Sequence, residues 1–377
     1  MKAGWKTSTL GDTCEMYQPK TISGKEMVED GAYPVFGANG VIGRYDKFNH
    51  EEPQLLITCR GATCGTVNVS EPKSWITGNA MVVRPKDDSI ELQFLEYLFR
   101  GGIDIARAIT GAAQPQITRT NLAPLDITYP VAIEEQRRIV GILDEAFEGL
   151  ATAKANAEQN LQNARALFES HLQAVFTQRG DGWVEKSLGD LISIQNGFAF
   201  KSNEYTESGY FVIRIGNVQD GEITLDNPKY IQLADKKLER FILNEGDILI
   251  SLTGNIGRVG ILQESQLPAV LNQRVARITV SSRNANRDFI FRFLSSRTFR
   301  DGLQEAGHGA AQQNVSTKEI ESVRISIPDA TEQHRIVKCF DAFAEETQRL
   351  ESLDQRKLAA LDELKKSLLH RAFSGQL

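Results

Sequence analysis

Gly4-Trp5-Lys6-Thr7-Ser8-Thr9-Leu10-Gly11-Asp12 returns later in the same chain as Gly182-Trp183-Val184-Glu185-Lys186-Ser187-Leu188-Gly189-Asp190. A second pair of anchors follows in the same order: Gln136-Arg137-Arg138-Ile139-Val140 with Asp144 matches Gln333-His334-Arg335-Ile336-Val337 with Asp341. Between them, Gly111-Ala112-Ala113-Gln114 matches Gly309-Ala310-Ala311-Gln312, and Thr63-Cys64-Gly65-Thr66-Val67 loosely matches Asn255-Ile256-Gly257-Arg258-Val259. Three ordered anchors per half describe a duplication rather than a chance dipeptide. The offset grows between the first anchor and the later ones, so the second half carries insertions early in its domain.

Each second anchor opens a long helix. From about Ile133 to Gln178 there is no proline, and Leu143, Phe147, Leu150, Ala157, Leu161, Ala164, Phe168, Leu172 and Val175 recur at steps of three, four or seven. That spacing is a heptad-like apolar seam. From about Thr331 to Phe373, Ile336, Phe340, Phe343, Leu350, Leu361, Leu364 and Leu368 do the same. Both helices follow a strand-like run ending in proline, Thr128-Tyr129-Pro130 and Ser326-Ile327-Pro328. Acidic residues in the first turn suit the helix dipole. At about 1.5 Å per residue such helices span roughly 65 Å, and two narrow apolar stripes of this length are most economically buried against each other.

The segments between the helices read as strands with short amphipathic helices. Gln54-Leu55-Leu56-Ile57-Thr58-Cys59 and Asp247-Ile248-Leu249-Ile250-Ser251-Leu252 run into Gly-rich turns, and Ala80–Pro85 and Arg274–Val280 are the strands that follow. The fold class expected is α+β: two mixed α/β domains, 1–130 and 181–329, separated by two long helices, 131–180 and 330–377. The helices are expected to pair as an antiparallel coiled coil about a pseudo-twofold axis.

The 377 residues are 41% hydrophobic and 24% charged, the balance of an ordinary folded protein. Met-Lys-Ala-Gly-Trp-Lys lacks the apolar core of a signal peptide and no run approaches membrane-spanning length, so the expected location is cytoplasmic. Cys14, Cys59, Cys64 and Cys339 are too few and too scattered for a disulfide framework and lack metal-ligand spacing. No metal site is expected. The net charge of −6 runs against nucleic-acid binding, where phosphate neutralisation supplies much of the affinity. One window concentrates cations, however: Arg274, Arg277, Arg283, Arg287, Arg292, Arg297 and Arg300, with Asp288 as the acid within their span.

Catalytic constellations are missing. Gly37-x-x-Gly40-x-x-Gly43 and Gly254-x-x-Gly257-x-x-Gly260 are not a dinucleotide fingerprint, and no Gly-Lys-Ser or Gly-Lys-Thr offers a phosphate loop. Asn227-Pro228-Lys229-Tyr230 comes within one residue of an amino-methyltransferase signature, but Lys229 replaces the second proline and no cofactor fingerprint precedes it. It reads as a turn.

In this arrangement the chain resembles the specificity (S) subunit of type I restriction-modification systems. The resemblance covers essentially the whole sequence. It rests on the repeated Gly-Trp and Leu-Gly-Asp openings, on Tyr33-Pro34-Val35-Phe36-Gly37-Ala38-Asn39-Gly40, and on Glu135–Val140 and Glu332–Val337. The closing Leu369-His370-Arg371-Ala372-Phe373-Ser374-Gly375-Gln376-Leu377 completes it. Arg371 and Gln376 depart from a family-typical Lys and Glu. The resemblance implies two target-recognition domains, each reading one half of a split double-stranded DNA target, with the helices setting the spacer. It implies a non-catalytic subunit that works with two adenine methyltransferase subunits and with motor-nuclease subunits. No cofactor is expected on this chain; S-adenosylmethionine would sit on the methyltransferases, ATP and magnesium on the motors. A related type II system with a fused methyltransferase-nuclease and a coiled-coil scaffold unrelated to DNA are the alternative readings.

Base reading calls for planar bidentate groups, Arg toward guanine and Asn or Gln toward adenine, while hydroxyls, cations and backbone amides position the phosphates. On that chemistry the candidates in the first domain are Asn39 with Arg44, Arg60, Asn79, and Gln114 and Gln116 with Arg119. In the second they are Thr253, Asn255, Arg258, Gln273, Arg274, Gln313 and Asn314.

Overall fold

The computed structural model describes residues 3–111, 113–178, 180–233, 235–306 and 314–377. Gln313 and the Gly309–Gln312 copy of the repeated motif lie outside the described residues, as does Ala112 of its partner. The chain divides into two compact units. One comprises Met1–Gln159 with Asp354–Leu377, the other Asn160–Leu353.

The first unit opens with Trp5–Thr9 antiparallel to Asp126–Pro130, the strand that feeds the first long helix. The Leu-Gly-Asp that follows is a closure. Leu10 is fully buried and its amide donates to Leu125 O at 2.9 Å. A Cβ on Gly11 would stand 3.1 Å from the Ala123 Cβ, so the glycine permits the approach. Asp12 accepts from the Thr9 hydroxyl at 2.7 Å and returns its amide to the same oxygen at 3.2 Å. The second unit repeats the frame, but its aspartate takes the amide of the preceding serine while the Ser187 hydroxyl donates to Glu321 O. Val184–Ser187 pairs with Arg324–Ile327, Leu188 N donates to Val323 O at 2.9 Å, and Asp190 accepts from Ser187 N at 3.2 Å.

Both units are built on a larger sheet, wholly antiparallel in the first unit and antiparallel but for one edge strand in the second, and on a smaller mixed one. In the first unit the order of the main sheet is Cys14–Tyr17, Ala80–Pro85, Leu55–Thr58, Val67–Val69, and in the second Ile192–Asn196, Val275–Val280, Ile248–Ser251, Val259–Ile261, with Gly221–Glu222 added at the edge. Leu55–Thr58 and Ile248–Ser251 are buried at every position, which is why they read as unbroken apolar runs rather than alternating ones. The smaller sheets repeat as well. Tyr33–Gly37 runs parallel to Trp75–Ile76, and Tyr210–Ile213 parallel to Ala269–Leu271.

The long helices run Ile133–Thr177 and Ala330–Phe373. Within the first unit, Lys154 pairs with Asp362 at 3.2 Å, the Lys365 ammonium lies 5.2 Å from the Phe147 ring centre, and Arg138 donates to Leu377 O at 2.9 Å. Rising numbers meet falling ones, so the two helical segments are antiparallel. Within the second unit, Arg165 pairs with Glu351 at 2.8 Å, His171 stacks on Phe343 and Phe176 on Phe340, again antiparallel. The exposed ion pairs contribute little to stability; the apolar stripes carry the pairing. Those stripes also enter the cores of the units: Ile139, Leu143, Leu369 and Ala372 in the first, Leu172, Phe176, Ile336 and Phe340 in the second. Leu364 departs from the expected seam, for 48% of its surface faces solvent.

The repeated Gln-Arg motif has a structural cause. Gln136 is fully buried; it accepts from Glu91 N at 2.9 Å and donates to Ser89 O and Pro130 O, both at 2.8 Å. Gln333, equally buried, accepts from Asn286 N at 2.7 Å and donates to Asn284 O and Pro328 O, both at 2.9 Å. A single amide thus satisfies three backbone groups where strand, loop and helix meet. The repeated aspartates then tie each helix to a second one: Asp144 accepts from Gln93 and Tyr97, and Asp341 from Arg292 at 2.8 Å. Among the described residues no helix is long and apolar enough to cross a membrane.

Candidate nucleic-acid interface

The turn after Leu55–Thr58 and the turn before Ala80–Pro85 lie side by side in the first unit, since Thr58 pairs with Ala80 and Cys59 N donates to Asn79 O. A third segment joins them. Arg60 and Gln116 form an isolated antiparallel bridge, and Ile117 N donates to Cys59 O at 2.9 Å. Thr118 then caps a short helix, its hydroxyl accepting from Asn121 N, and this fixes Arg119 in the first turn. The product is a cleft of about 370 Å³ lined by Tyr17, Gln18, Arg60, Gln116, Thr118 and Arg119. The side chains of Arg60, Gln116 and Arg119 are exposed and make no hydrogen bond or ion pair among the described residues.

The second unit builds the same frame from different side chains. Ser251 pairs with Val275 and Leu252 N donates to Arg274 O at 3.0 Å, so Arg274 stands where Asn79 stands in the first unit. Thr253 and Asn314 form the isolated bridge, Val315 N donates to Leu252 O at 2.8 Å, and Ser316 is the helix cap. They replace Arg60, Gln116, Ile117 and Thr118. Gln273 and Arg274 are exposed, without side-chain partners among the described residues. They line a cleft of about 430 Å³ with Phe200, Tyr205, Arg214 and Asn217.

The remaining candidates divide by what already holds them. Asn39 sits in the turn between Tyr33–Gly37 and Gly40–Tyr45; its Oδ1 accepts from Asn68 at 3.3 Å, and the Thr58 hydroxyl donates to the neighbouring Ala38 O. The hairpin tip is thereby tied to the root of the Arg60 turn. Arg44 spends its guanidinium on Gly31 O at 2.6 Å and Ala32 O at 2.9 Å, pinning the approach to that hairpin. Gln114 is exposed in the turn leading to Gln116. Asn255 is exposed in a tight turn between Gly254 and Gly257, both at positive φ, whose carbonyl takes the Ser251 hydroxyl. Arg258 donates to Gln219 at 2.6 Å and lies 4.0 Å from Asp220, which also pairs with Arg300 at 3.0 Å.

That last pairing bears on the arginine-rich window. Arg277 is held by Asp247 and Gln195, Arg287 by Asp288, Arg292 by Asp341, Arg297 by Asp301 and Arg300 by Asp220. Five of its seven arginines are therefore in ion pairs, and the window is not a free cationic face; three of the counter-ions, Asp220, Asp247 and Asp341, come from elsewhere in the sequence, where linear counting cannot see them.

Sequence reasoning missed Tyr17 and Gln18 in the first unit and Phe200, Tyr205 and Arg214 in the second, because strand register rather than any motif brings them to the clefts. Tyr17 OH lies 2.8 Å from His50 Nε2, and burial pushes the Tyr17 hydroxyl up from its ordinary range despite the nearby Arg84. Burial, then Arg84, pushes the His50 imidazole down. The thiols beside the first cleft, Cys59 and Cys64, are pushed up by burial, which favours their protonated form. Asn227-Pro228-Lys229-Tyr230 forms a bend with Asn227 at a φ of 47°. The arrangement offers fixed donors and acceptors around two clefts.

The model of the type I restriction modification DNA specificity domain matches residues 2–162 and again 180–358. The type I restriction enzyme MjaVIII specificity subunit of Methanocaldococcus jannaschii is 23% identical over 99% of this chain and 93% of its own length. The EcoBI specificity subunit of Escherichia coli is 23% identical over 86% of this chain and 73% of its own. Among solved structures, a chain from a study of complex assembly and conformational transition of the type I R-M system superposes with a TM-score of 0.79, at 18% identity, over 100% of this chain and 99% of that one. The HsdS subunit from Thermoanaerobacter tengcongensis gives 0.61 at 19% identity, over 100% and 98%. With both halves matched by one domain model, in the order that the internal repeat lays out, the chain belongs to the specificity subunits of type I restriction-modification systems.

Proposed function

We propose that this chain reads a bipartite DNA target, one half per unit, and performs no chemistry itself. The observation that carries the reading is the duplicated frame with unlike contents. The same backbone bonds present Arg60, Asn79 and Gln116 in one unit and Arg274 and Asn314 in the other, where Thr253 takes the place of Arg60 with its hydroxyl buried. A frame held constant by backbone pairing and varied in the placing of its guanidinium and amide groups is what reading two different short sequences requires. Arg60, Arg119 and Arg274, which lack counter-ions among the described residues, supply charge toward the DNA.

The net charge of −6 leaves little general attraction for DNA, so binding draws on cations of partner subunits. Those partners are two adenine methyltransferase subunits docked along the paired long helices, with motor-nuclease subunits joining the larger assembly. S-adenosylmethionine belongs to the methyltransferases, ATP and magnesium to the motors, and none to this chain. The test is selection from a random duplex library by the chain assembled with its methyltransferases. Enrichment of two short fixed blocks around a fixed gap supports the reading; enrichment of no sequence overturns it.

A further inference from the structure

Phe198 is an exposed aromatic residue beside amide and guanidinium groups. The strand Ile192–Asn196 continues as Gly197-Phe198, and a Cβ on Gly197 would lie 2.1 Å from Asn272 O, so glycine alone lets this segment close on the Asn272 turn. Phe198 N donates to Leu271 O and Gln273 N to Phe198 O, both at 2.9 Å. Phe198 is therefore fixed beside Gln273 and Arg274. The residue keeps 38% of its surface in solvent, and its ring is braced by Phe200 and Phe241, with centroids 5.1 and 5.5 Å away.

A cleft of about 660 Å³ opens at this ring, lined by Asn196, Phe198, Arg240, Phe241 and Gln273 and by no acidic residue. Arg240 leans over Phe241 at 4.6 Å; its carbonyl accepts from Gln195 at 2.8 Å, but neither its guanidinium nor the side chain of Asn196 has a hydrogen-bond or ion-pair partner among the described residues. The occupant that fits is anionic, carries hydrogen-bonding edges and has an apolar group to cover the ring. The major-groove edge of an A·T pair has all three: adenine N6 and N7 for an amide, the thymine C5-methyl for a phenyl ring, and phosphates alongside. In the first unit the equivalent strand continues as Gln18-Pro19-Lys20, without an aromatic residue.

We infer that Phe198 reads the C5-methyl of a thymine in the half-target of the second unit, with Gln273 placed for an adjacent adenine. This rests on the DNA-reading function proposed above. The experiment uses the full chain assembled with its methyltransferase subunits, on the target found by library selection. Each thymine is replaced in turn by deoxyuridine, and binding is titrated for the parent, Phe198→Leu and Phe198→Ala. One replacement in the second half is expected to weaken the parent about fourfold, the scale of one lost methyl burial. The same replacement leaves Phe198→Ala unchanged, and Phe198→Leu falls between; replacements in the first half act equally on all three. Deoxyuridine effects identical in parent and Phe198→Ala, or a second half without thymine, overturn the inference while the bipartite reading stands. Absence of any selected sequence overturns both.

Discussion

Gln116 faces Arg60 across an isolated antiparallel bridge, and neither side chain is engaged by another group among the described residues. The bonds that hold the bridge come from the flanking backbone, Ile117 N to Cys59 O and Gly61 N to Pro115 O, and both side chains are left for a ligand. Arg274 is presented in the same way by the Leu252 amide. Replacing Arg60 or Arg274 with Ala should each relax one half of the target and leave the other intact. A bidentate contact to guanine discriminates by about 1–3 kcal/mol, so cognate binding by the assembled complex should fall about 5- to 150-fold. Titration with each half-target varied separately checks this; loss at both halves from either variant contradicts it.

Arg258 should behave differently, because Gln219 and Asp220 already hold it. Arg258→Ala is expected to lower the thermal stability of the second unit while shifting half-target selectivity less than Arg274→Ala does. Melting curves and the same titrations, side by side, decide between a structural and a reading role.

Gln136→Leu and Gln333→Leu each strand three backbone groups at a buried junction. A cost of about 2–4 kcal/mol is expected, summing lost bonds and unsatisfied groups. Amide hydrogen exchange should show lost protection within the unit that carries the substitution, around 89–91 for Gln136 and 284–286 for Gln333. Unchanged exchange there would show that the clamp contributes nothing.

Exchanging residues 1–130 for the corresponding segment of another specificity subunit should alter one half of the recognised sequence only. The second unit keeps its own strand pairing and cleft in such a chimera. Sequencing of the library selected by the chimeric complex reports both halves at once.

The duplication, the two long helices and the α+β character were legible because they rest on anchors repeated in order and on helical periodicity. Leu-Gly-Asp and Gln-Arg were visible as repeats, yet their cause was not: Leu10 and Gln136 act on partners more than forty residues distant, Leu125 and Glu91. The clefts were half legible. Arg60, Gln116 and Arg274 could be named from residue type, but Arg44 and Arg258 have the same chemistry and are tied by carbonyls and carboxylates that linear spacing does not reveal. Tyr17 and Phe198 reach their clefts through register alone.

The central claim, that this chain supplies a bipartite address to partner methyltransferases, is tested most directly by mapping methylated adenines across the genome of a host carrying the methyltransferase subunits, with and without this chain. The account predicts methylation at one motif of two fixed blocks around a constant gap, present only with the chain and changed in one block by Arg60→Ala or Arg274→Ala. Methylation that is the same without the chain, or that follows no two-block motif, would contradict it.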